Sequence, residues 1–198
     1  MATVTDIQKY INQQPAKAVV FTEDFKSLGS SEAIKSALHR LVKTGVLHRL
    51  AKGIYIKPGF SALLQSETQP TLEEIAQAIA KRDRIRLIPT GAMALYKLGL
   101  STQLPLKPVY LTDGTARKIP IGKRSITFKR VAPKKVSLKG ELSTLVVQAL
   151  GEIGKDQLTE EEKEKLIGVL KKEKYEHLKH DIRVAPQWMG EIMAKAIN

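Results

Sequence analysis

Apolar positions near the start of the chain recur first with the spacing of helices and then with that of short strands. Between Ser31 and Thr44 they form one stripe at i, i+3 and i+4 spacing, which predicts a helix with that stripe in a core. Gly45 ends this helix at the usual glycine position. The remaining elements predicted up to residue 57 are a helix over 5–14, a strand or an apolar helix entry over 18–21, a short helix over 23–28 capped by Thr22, and strands over 46–50 and 54–57 around a turn at 51–53.

This order of elements is typical of a winged helix-turn-helix, in which the helix before the wing enters the DNA major groove. The outward positions of that helix and of the wing carry hydroxyl, imidazole or cationic groups, which suit phosphates and base edges. A solvated polar face, and edge-strand lysines that discourage aggregation, are the alternative interpretations. The predicted DNA contacts are Ser31, Lys35, Ser36, His39, Arg40 and Lys43 on the helix and Arg49 and Lys52 on the wing, with Lys57 also decorating the wing.

Residues 58–70 are richer in Gly, Ser, Thr, Gln and Pro than their surroundings and predict a domain junction, partly ordered around Phe60, Leu63 and Leu64. We therefore predict an α+β protein with a winged helix-turn-helix domain over 1–62, a junction over 63–70, and a basic α+β domain with a helical tail over 71–198. The elements predicted there are helices over 72–81 and 91–98, capped by Thr71 and Thr90, strands over 86–88, 108–112, 118–121 and 125–131 in a small mixed sheet, and tail helices over 142–153, 160–172, 174–179 and 187–197.

Charge adds a second candidate surface. The 198 residues include 33 Lys and Arg and 20 Asp and Glu, which gives a net charge of +13. This charge favours a polyanionic partner such as nucleic acid; the alternatives are an anionic membrane partner or a soluble protein that is merely basic. Residues 81–139 alone carry a net +13, whereas residues 1–62 carry +5. A second basic surface is therefore predicted in the sheet, at Arg117, Lys118, Lys123, Arg124, Lys129 and Arg130.

The sequence predicts a cytoplasmic protein with no membrane partner, because it lacks cysteine, the apolar core of a signal peptide and any apolar run of about 18 residues. No enzymatic activity, catalytic residue or cofactor is predicted. Between Arg84 and Gly140 the only acid is Asp113, so the basic sheet lacks the paired carboxylates of a nuclease or nucleotidyltransferase. The segment Gly122-Lys123-Arg124-Ser125 is interpreted as a hairpin turn, since its spacing departs from that of a phosphate loop.

Two features of the tail have competing interpretations. His177 and His180 share a helix face at i, i+3, but without a third ligand nearby no metal site is predicted. Trp188 and Met189 are interpreted as core anchors of the last helix, with a partner-binding patch as the alternative.

The segment GSSEAIKSALHRLVKTGVLHRLAKGIYIKP, followed by LEEIAQAIAKRDRIRLIPTGAMALYKLGLSTQLPLKPVYLTDGTARKIPIGKRSITFKR, resembles the AbiEi-type abortive-infection antitoxins of bacterial type IV toxin–antitoxin systems. The resemblance covers roughly residues 5–135. It implies a DNA-binding domain that represses the operon's own promoter at inverted repeats, and a second domain that counters a nucleotidyltransferase-like toxin. It also implies that the six helix positions named above and Lys52 contact DNA.

The expected partner is double-stranded operator DNA, bound by a monomer or weak dimer, with a functional link to the toxin. The alternative from another class is an interaction protein that binds RNA or a toxin through the basic sheet over 81–139, with the winged helix as a docking module.

Overall fold

A computed structural model describes residues 2–61, 63, 65–132 and 137–197 of the chain, and within them the protein has the predicted α+β composition. The chain divides into two compact units. The first comprises residues 1–79 and 119–125, and the second comprises residues 80–118 and 126–198.

The first unit begins with helices and a small antiparallel sheet. Strand β1 (Val19–Phe21) pairs with β3 (Ile54–Ile56), which aligns Val19 with Ile56. Strand β3 also pairs with β2 (His48–Ala51), where a bulge lies between Arg49 and Ala51. The strand order is β1-β3-β2. The elements are α1 (Ala2–Gln13), β1 (Val19–Phe21), a 3₁₀ helix (Thr22–Leu28), α2 (Ser31–Lys43), β2 (His48–Ala51) and β3 (Ile54–Ile56).

The core of this unit forms where α1, the 3₁₀ helix and α2 meet. Ile7 and Ile11 from α1, Phe25 from the 3₁₀ helix and Leu38 from α2 are all fully buried there. The ring of Tyr10 meets that of Phe25 edge to face, with centroids 5.3 Å apart. Burial raises the pKa of the Tyr10 hydroxyl, and the charge of Asp24 adds to this effect. These contacts fix one face of α2 against the core.

A hairpin occupies the segment that was predicted as a junction. Its strands are β4 (Gly59–Ser61) and β5 (Ser66–Thr68), paired antiparallel with Gly59 opposite Thr68. We predicted that this segment is partly ordered around the side chains of Phe60, Leu63 and Leu64. For Phe60 and Leu63 that prediction is wrong, because their side chains are 71% and 93% exposed. Backbone pairing, rather than an apolar cluster of those two residues, orders the segment. Leu64 lies outside the described residues.

Helix α3 (Leu72–Asp83) follows and starts at the predicted cap. The backbone N–H of Thr71 donates to the Glu74 carboxylate at 2.6 Å, and the Glu74 N–H donates to the Thr71 hydroxyl at 3.2 Å. This reciprocal arrangement is a capping box. The Thr71 backbone bond is the main reason that the pKa of Glu74 lies below its ordinary value.

A mixed four-stranded sheet follows, in the order β6-β7-β9-β8. Strands β6 and β7 are antiparallel, with Ile88 opposite Leu111, whereas β7 and β9 are parallel, with Tyr110 opposite Phe128. The strands are β6 (Ile88–Pro89), β7 (Val109–Thr112), β8 (Arg117–Ile121) and β9 (Arg124–Arg130), and α4 (Gly91–Lys97) lies between β6 and β7.

The tail is helical, as predicted, and forms the apolar core of the second unit together with α4. Helix α4 packs on α5, and Ala94, Val146, Leu166 and Met193 are completely buried in this core. The tail helices are α5 (Glu141–Ile153), α6 (Glu160–Leu170), α7 (Tyr175–Val184) and α8 (Gln187–Ala194), with a short 3₁₀ turn over Lys155–Gln157.

The observed boundaries differ from the predicted ones at several elements; for example, α1 begins at Ala2 rather than at residue 5, and α8 ends at Ala194 rather than at residue 197. The first short helix is a 3₁₀ helix that includes Thr22, and the Phe21 N–H before it donates to Asp24, so Thr22 is not its cap. Thr90 stands at the start of α4 but makes no capping hydrogen bond. Helix α7 continues to Val184, five residues beyond the predicted end.

Candidate nucleic-acid interface

Helix α2 is fixed at both ends by side-chain hydrogen bonds. The Ser30 hydroxyl accepts from the Ala33 N–H at 3.3 Å and so caps the first turn. At the other end the Thr44 hydroxyl lies 3.2 Å from the carbonyl oxygens of both Arg40 and Leu41. The helix is therefore a defined thirteen-residue element with little freedom to fray.

The two sides of α2 have opposite character. Its inner side is apolar, with Ile34 and Leu41 each 3% exposed and Ala37 and Leu38 fully buried. The outer side has two adjacent rows, because residues four apart lie above one another on a helix. Every predicted helix contact is exposed: Ser31, Lys35, His39 and Lys43 form one row, and Ser36 and Arg40 lie in the next.

The charges on this face are uncompensated. No carboxylate in the described part of the chain forms an ion pair with Lys35, Arg40 or Lys43. Glu32, at the start of the helix, is the only acid of α2 and suits the helix dipole there. The face therefore presents a positive potential to solvent, with hydroxyl and imidazole donors set among the cations.

The predicted wing residues divide into two groups. Arg49 and Lys52 are exposed, and the Arg49 Nε donates to the Ala51 carbonyl at 3.4 Å, beside the turn in which Gly53 has a φ of +72°. Lys57 does not decorate the wing, because its Nζ donates to the carbonyls of Asn12 and Gln14 at 3.1 and 2.6 Å. Those carbonyls lie at the end of α1, where a cation is stabilising.

Most of the second basic surface is also exposed. The tight turn between β8 and β9 contains Gly122, whose φ of +57° suits glycine, and this fits the predicted hairpin turn. No carboxylate among the described residues pairs with the exposed cations of the two strands. They are Lys118, Lys123, Arg124, Lys129 and Arg130.

Arg117 does not belong to that surface as predicted. Its guanidinium forms an ion pair with Asp83 and lies 5.2 Å from the ring centroid of Phe128, and its side chain is 32% exposed. Arg82 binds the same carboxylate, with Nε 2.7 Å from Oδ1. Burial alone would raise the pKa of Asp83, but hydrogen bonds and charge from Arg82 and Arg117 outweigh it and lower that pKa. Arg117 therefore supports the fold around the sheet.

The two tail histidines contact carboxylates. His180 Nδ1 lies 2.8 Å from Asp181, and His177 Nδ1 lies 3.8 Å from Glu173. Within the described residues, no group of three or more His, Asp or Glu side chains is arranged to hold a metal ion.

Sequence reasoning missed the role of these two carboxylates, which cap α5. Asp181 is fully buried and accepts from the Lys139 and Gly140 N–H groups, while Glu173 accepts from those of Leu142 and Ser143. Since Asp181 and Gly140 are 41 residues apart, no local pattern could indicate the contact.

Trp188 and Met189 both contribute to the tail core, as predicted. Met189 is 7% exposed and belongs to the buried cluster, and Trp188 is half-buried against it. No helix in the described ranges is both long enough and apolar enough to cross a lipid bilayer.

Comparison with curated proteins gives no match. A family of unknown function, DUF6088, matches the chain over residues 6–178, which include α2 and its exposed face, the basic hairpin and most of the tail. The matched region covers well over half of the sequence, and the chain is therefore a member of the DUF6088 family.

Proposed function

We propose that the protein is a DNA-binding transcriptional regulator in which residues 1–62 act as a winged helix-turn-helix. One observation carries the proposal: the outer side of α2 presents two rows of exposed, uncompensated donors while its inner side is buried. The sheet order β1-β3-β2 supports the assignment of a wing. The strands β2 and β3 are joined by a short connection, and they follow α2 directly in the sequence. Helix α2 is the proposed recognition helix.

The proposed contacts fall into two classes. Lys35, Lys43 and Lys52 contact phosphates, which gives affinity that falls steeply with added salt because bound counterions are released. Ser36, His39 and Arg40 contact base edges, and each good contact contributes about 1–3 kcal/mol of discrimination between bases. Ser31 and Arg49, at the edges of the two elements, contact the flanking backbone.

A gel-shift titration tests this proposal with DNA from upstream of the protein's own gene and with a scrambled duplex, both at physiological salt. The wild-type protein should bind the upstream DNA more tightly. The double variant Lys35→Ala/Arg40→Ala should weaken binding and reduce the preference for the upstream DNA, because one phosphate contact and one base contact are lost. Equal binding of the two duplexes by the wild type, or unchanged binding by the double variant, would overturn the proposal.

The matched control is Lys123→Ala/Arg124→Ala, which removes the same two positive charges from the tip of the β8–β9 hairpin. Both double variants lower the net charge equally, so both should reduce non-specific attraction to DNA. Only the α2 variant should reduce the ratio of specific to non-specific affinity.

Within this proposal the regulator is the antitoxin of a type IV toxin–antitoxin pair. The resemblance to AbiEi-type antitoxins supports this role, with repression of its own operon at inverted repeats, a cytoplasmic location, a monomeric or weakly dimeric state, and no catalytic activity or cofactor. Co-expression with a neighbouring nucleotidyltransferase-like gene tests it. Growth arrested by that gene should recover when this chain is present, and failure to recover would exclude the antitoxin role while leaving DNA binding intact.

A second candidate function is RNA or toxin binding through the basic sheet over 81–139, with the winged helix as a docking module. The five exposed cations of the β8–β9 hairpin, with which no carboxylate among the described residues pairs, favour it. Here Lys123→Ala/Arg124→Ala should abolish growth rescue, and Lys35→Ala/Arg40→Ala should not. The reverse pattern would exclude this function for the sheet.

A further inference from the structure

The second unit contains a groove of about 580 Å³ that the proposed DNA-binding face does not include. It lies among the last turns of α5, the end of α7, the start of α8 and strand β7, and its apolar walls include Leu111, Val147, Val184 and Met189. Small-molecule sites usually measure about 300–1,000 Å³ and are mostly apolar, with a few polar groups that fix orientation. The groove has both properties.

Among the described residues that line the groove, two have polar side chains, and both come from α5. Gln148 and Glu152 are four residues apart, so they share a helix face. A Cβ at Gly91 would lie 2.5 Å from the Cβ of Glu152 and 3.0 Å from the Gln148 carbonyl oxygen, so a glycine at that position lets α5 lie close against α4. Among the described residues, no donor or cation pairs with the Glu152 carboxylate.

The charge of Glu152 decides which ligands the groove accepts. Helix ends of both polarities line the groove, since α5 and α7 end there while α4 and α8 begin there. Their partial charges oppose one another. Glu152, an exposed residue, carries the one full charge among the described residues of the groove, and a full charge outweighs these opposed partial charges.

The geometry points to a binding site in this groove for a small molecule with an apolar body and a protonated amine. The apolar walls bury the body, Glu152 pairs with the ammonium group, and Gln148 supplies a further hydrogen bond. A carboxylate-bearing ligand would meet Glu152 with like charge, and a neutral one would leave it unpaired. The site is independent of the proposed DNA binding, since it uses other residues.

Three probes with the same eight-carbon body and different heads test the assignment: octylamine, 1-octanol and octanoate. Calorimetric titration of the full chain measures the affinity of each probe. Octylamine should bind at least tenfold more tightly than octanoate, although the net positive charge of the protein favours octanoate. Equal affinities, tighter binding of octanoate, or no binding of any probe would overturn the assignment.

Two variants locate the site. Glu152→Lys should reverse the preference so that octanoate binds more tightly than octylamine, whereas Glu164→Lys, an equal charge change at an exposed position of α6, should keep the wild-type order. Gly151→Leu should weaken all three probes at least tenfold. Beyond the backbone of its own helix, the only atom of the described residues that a Cβ there would approach within 4 Å is Met189 Cε, at 3.7 Å, so the new side chain can extend into the groove.

The helical circular dichroism of each variant should match that of the wild type. If Gly151→Leu does not fold, Glu152→Lys and Glu164→Lys decide the question without it. An unchanged order of affinities in Glu152→Lys would refute the assignment, because Glu152 is the only charged residue among the described residues that line this groove.

Discussion

The start of α5 depends on a carboxylate from α7, and removing that carboxylate is a severe test of how the tail is held together. Asp181 is completely buried, and its two oxygens accept from the Lys139 N–H at 2.8 Å and the Gly140 N–H at 2.7 Å. In Asp181→Ala both N–H groups lose their acceptor, and the Gly140 N–H is buried away from water. We expect this variant to be strongly destabilised.

The magnitude follows from the two backbone bonds. A hydrogen bond to a charged group contributes about 1.5–3 kcal/mol, so two of them give about 3–6 kcal/mol. His180 adds little, because its ring is 32% exposed and water can replace that contact. Glu173 still accepts from Leu142 and Ser143, so the first turn of α5 survives. A loss of about 3–5 kcal/mol is therefore expected for Asp181→Ala, and a smaller loss for Asp181→Asn, which keeps one acceptor oxygen.

Urea unfolding followed by far-ultraviolet circular dichroism measures this loss. Amide hydrogen exchange at Lys139 and Gly140 tests its location, because both amides should exchange faster in the variant. Asp156→Ala is the matched control: its carboxylate is exposed, and the change should stay within about 0.5 kcal/mol of wild type. A loss below about 1 kcal/mol in Asp181→Ala, or an equal loss in the control, would refute the cap assignment.

Two further predictions concern pH and helix propensity. The lowered pKa of Asp83 means that its stabilising effect is complete above its unfolded value of about 3.9 and is lost as pH falls through the folded value, so the stability gap between wild type and Asp83→Asn in urea should close in acid and be widest near neutrality. Gly168→Ala in α6 should raise the free energy of unfolding by about 0.5–1 kcal/mol in thermal melts, because alanine favours the helix and a Cβ there meets no atom of the described residues within 4 Å beyond the backbone of its own helix; a lower melting temperature would contradict this.

Elements with both a cap and an apolar stripe could be predicted from the sequence. Ser30 and Ile34 are close together in the chain, and the same is true of Thr71 and Glu74, so local physics determines where α2 and α3 begin. The sequence did not predict the β4–β5 hairpin. In a half-buried strand the apolar side chains are expected on the buried face, but here Phe60 is exposed and Gly59 is buried. Pairing between the two strands, rather than alternation, defines it.

Arg117 shows why long-range contacts within the candidate surface could not be predicted. Its ion-pair partner Asp83 is 34 residues away, so the sequence suggested only a basic strand. The sequence nevertheless contains a weak signal. Arg117 lies two residues before Ile119, so the two side chains are expected to share one face of a strand. In β8 both are half-buried, whereas Lys118 and Pro120 are exposed.

The structure also changes what the net charge means for a polyanion. Lys57 binds the carbonyls at the end of α1, and Arg82 and Arg117 both bind Asp83, so these cations stabilise the fold. Exposed cations without an ion pair lie on the outer rows of α2 and on the β8–β9 hairpin. A charge count treats these two groups as equivalent, but their surroundings differ: α2 sets its cations among hydroxyl and imidazole donors, whereas the hairpin presents mainly cations.

Cations without such donors can give affinity for phosphates but little discrimination among bases. The two double variants, which remove equal charge, separate these contributions. The α2 variant loses one phosphate contact, at Lys35, so the slope of log K against log salt should decrease by about 1, whereas the hairpin variant should lower that slope by about 2 if both of its removed residues contact phosphates. Only the α2 variant should also lose sequence preference. A loss of preference in the hairpin variant alone would reverse the assignment and make the sheet the surface that reads DNA sequence.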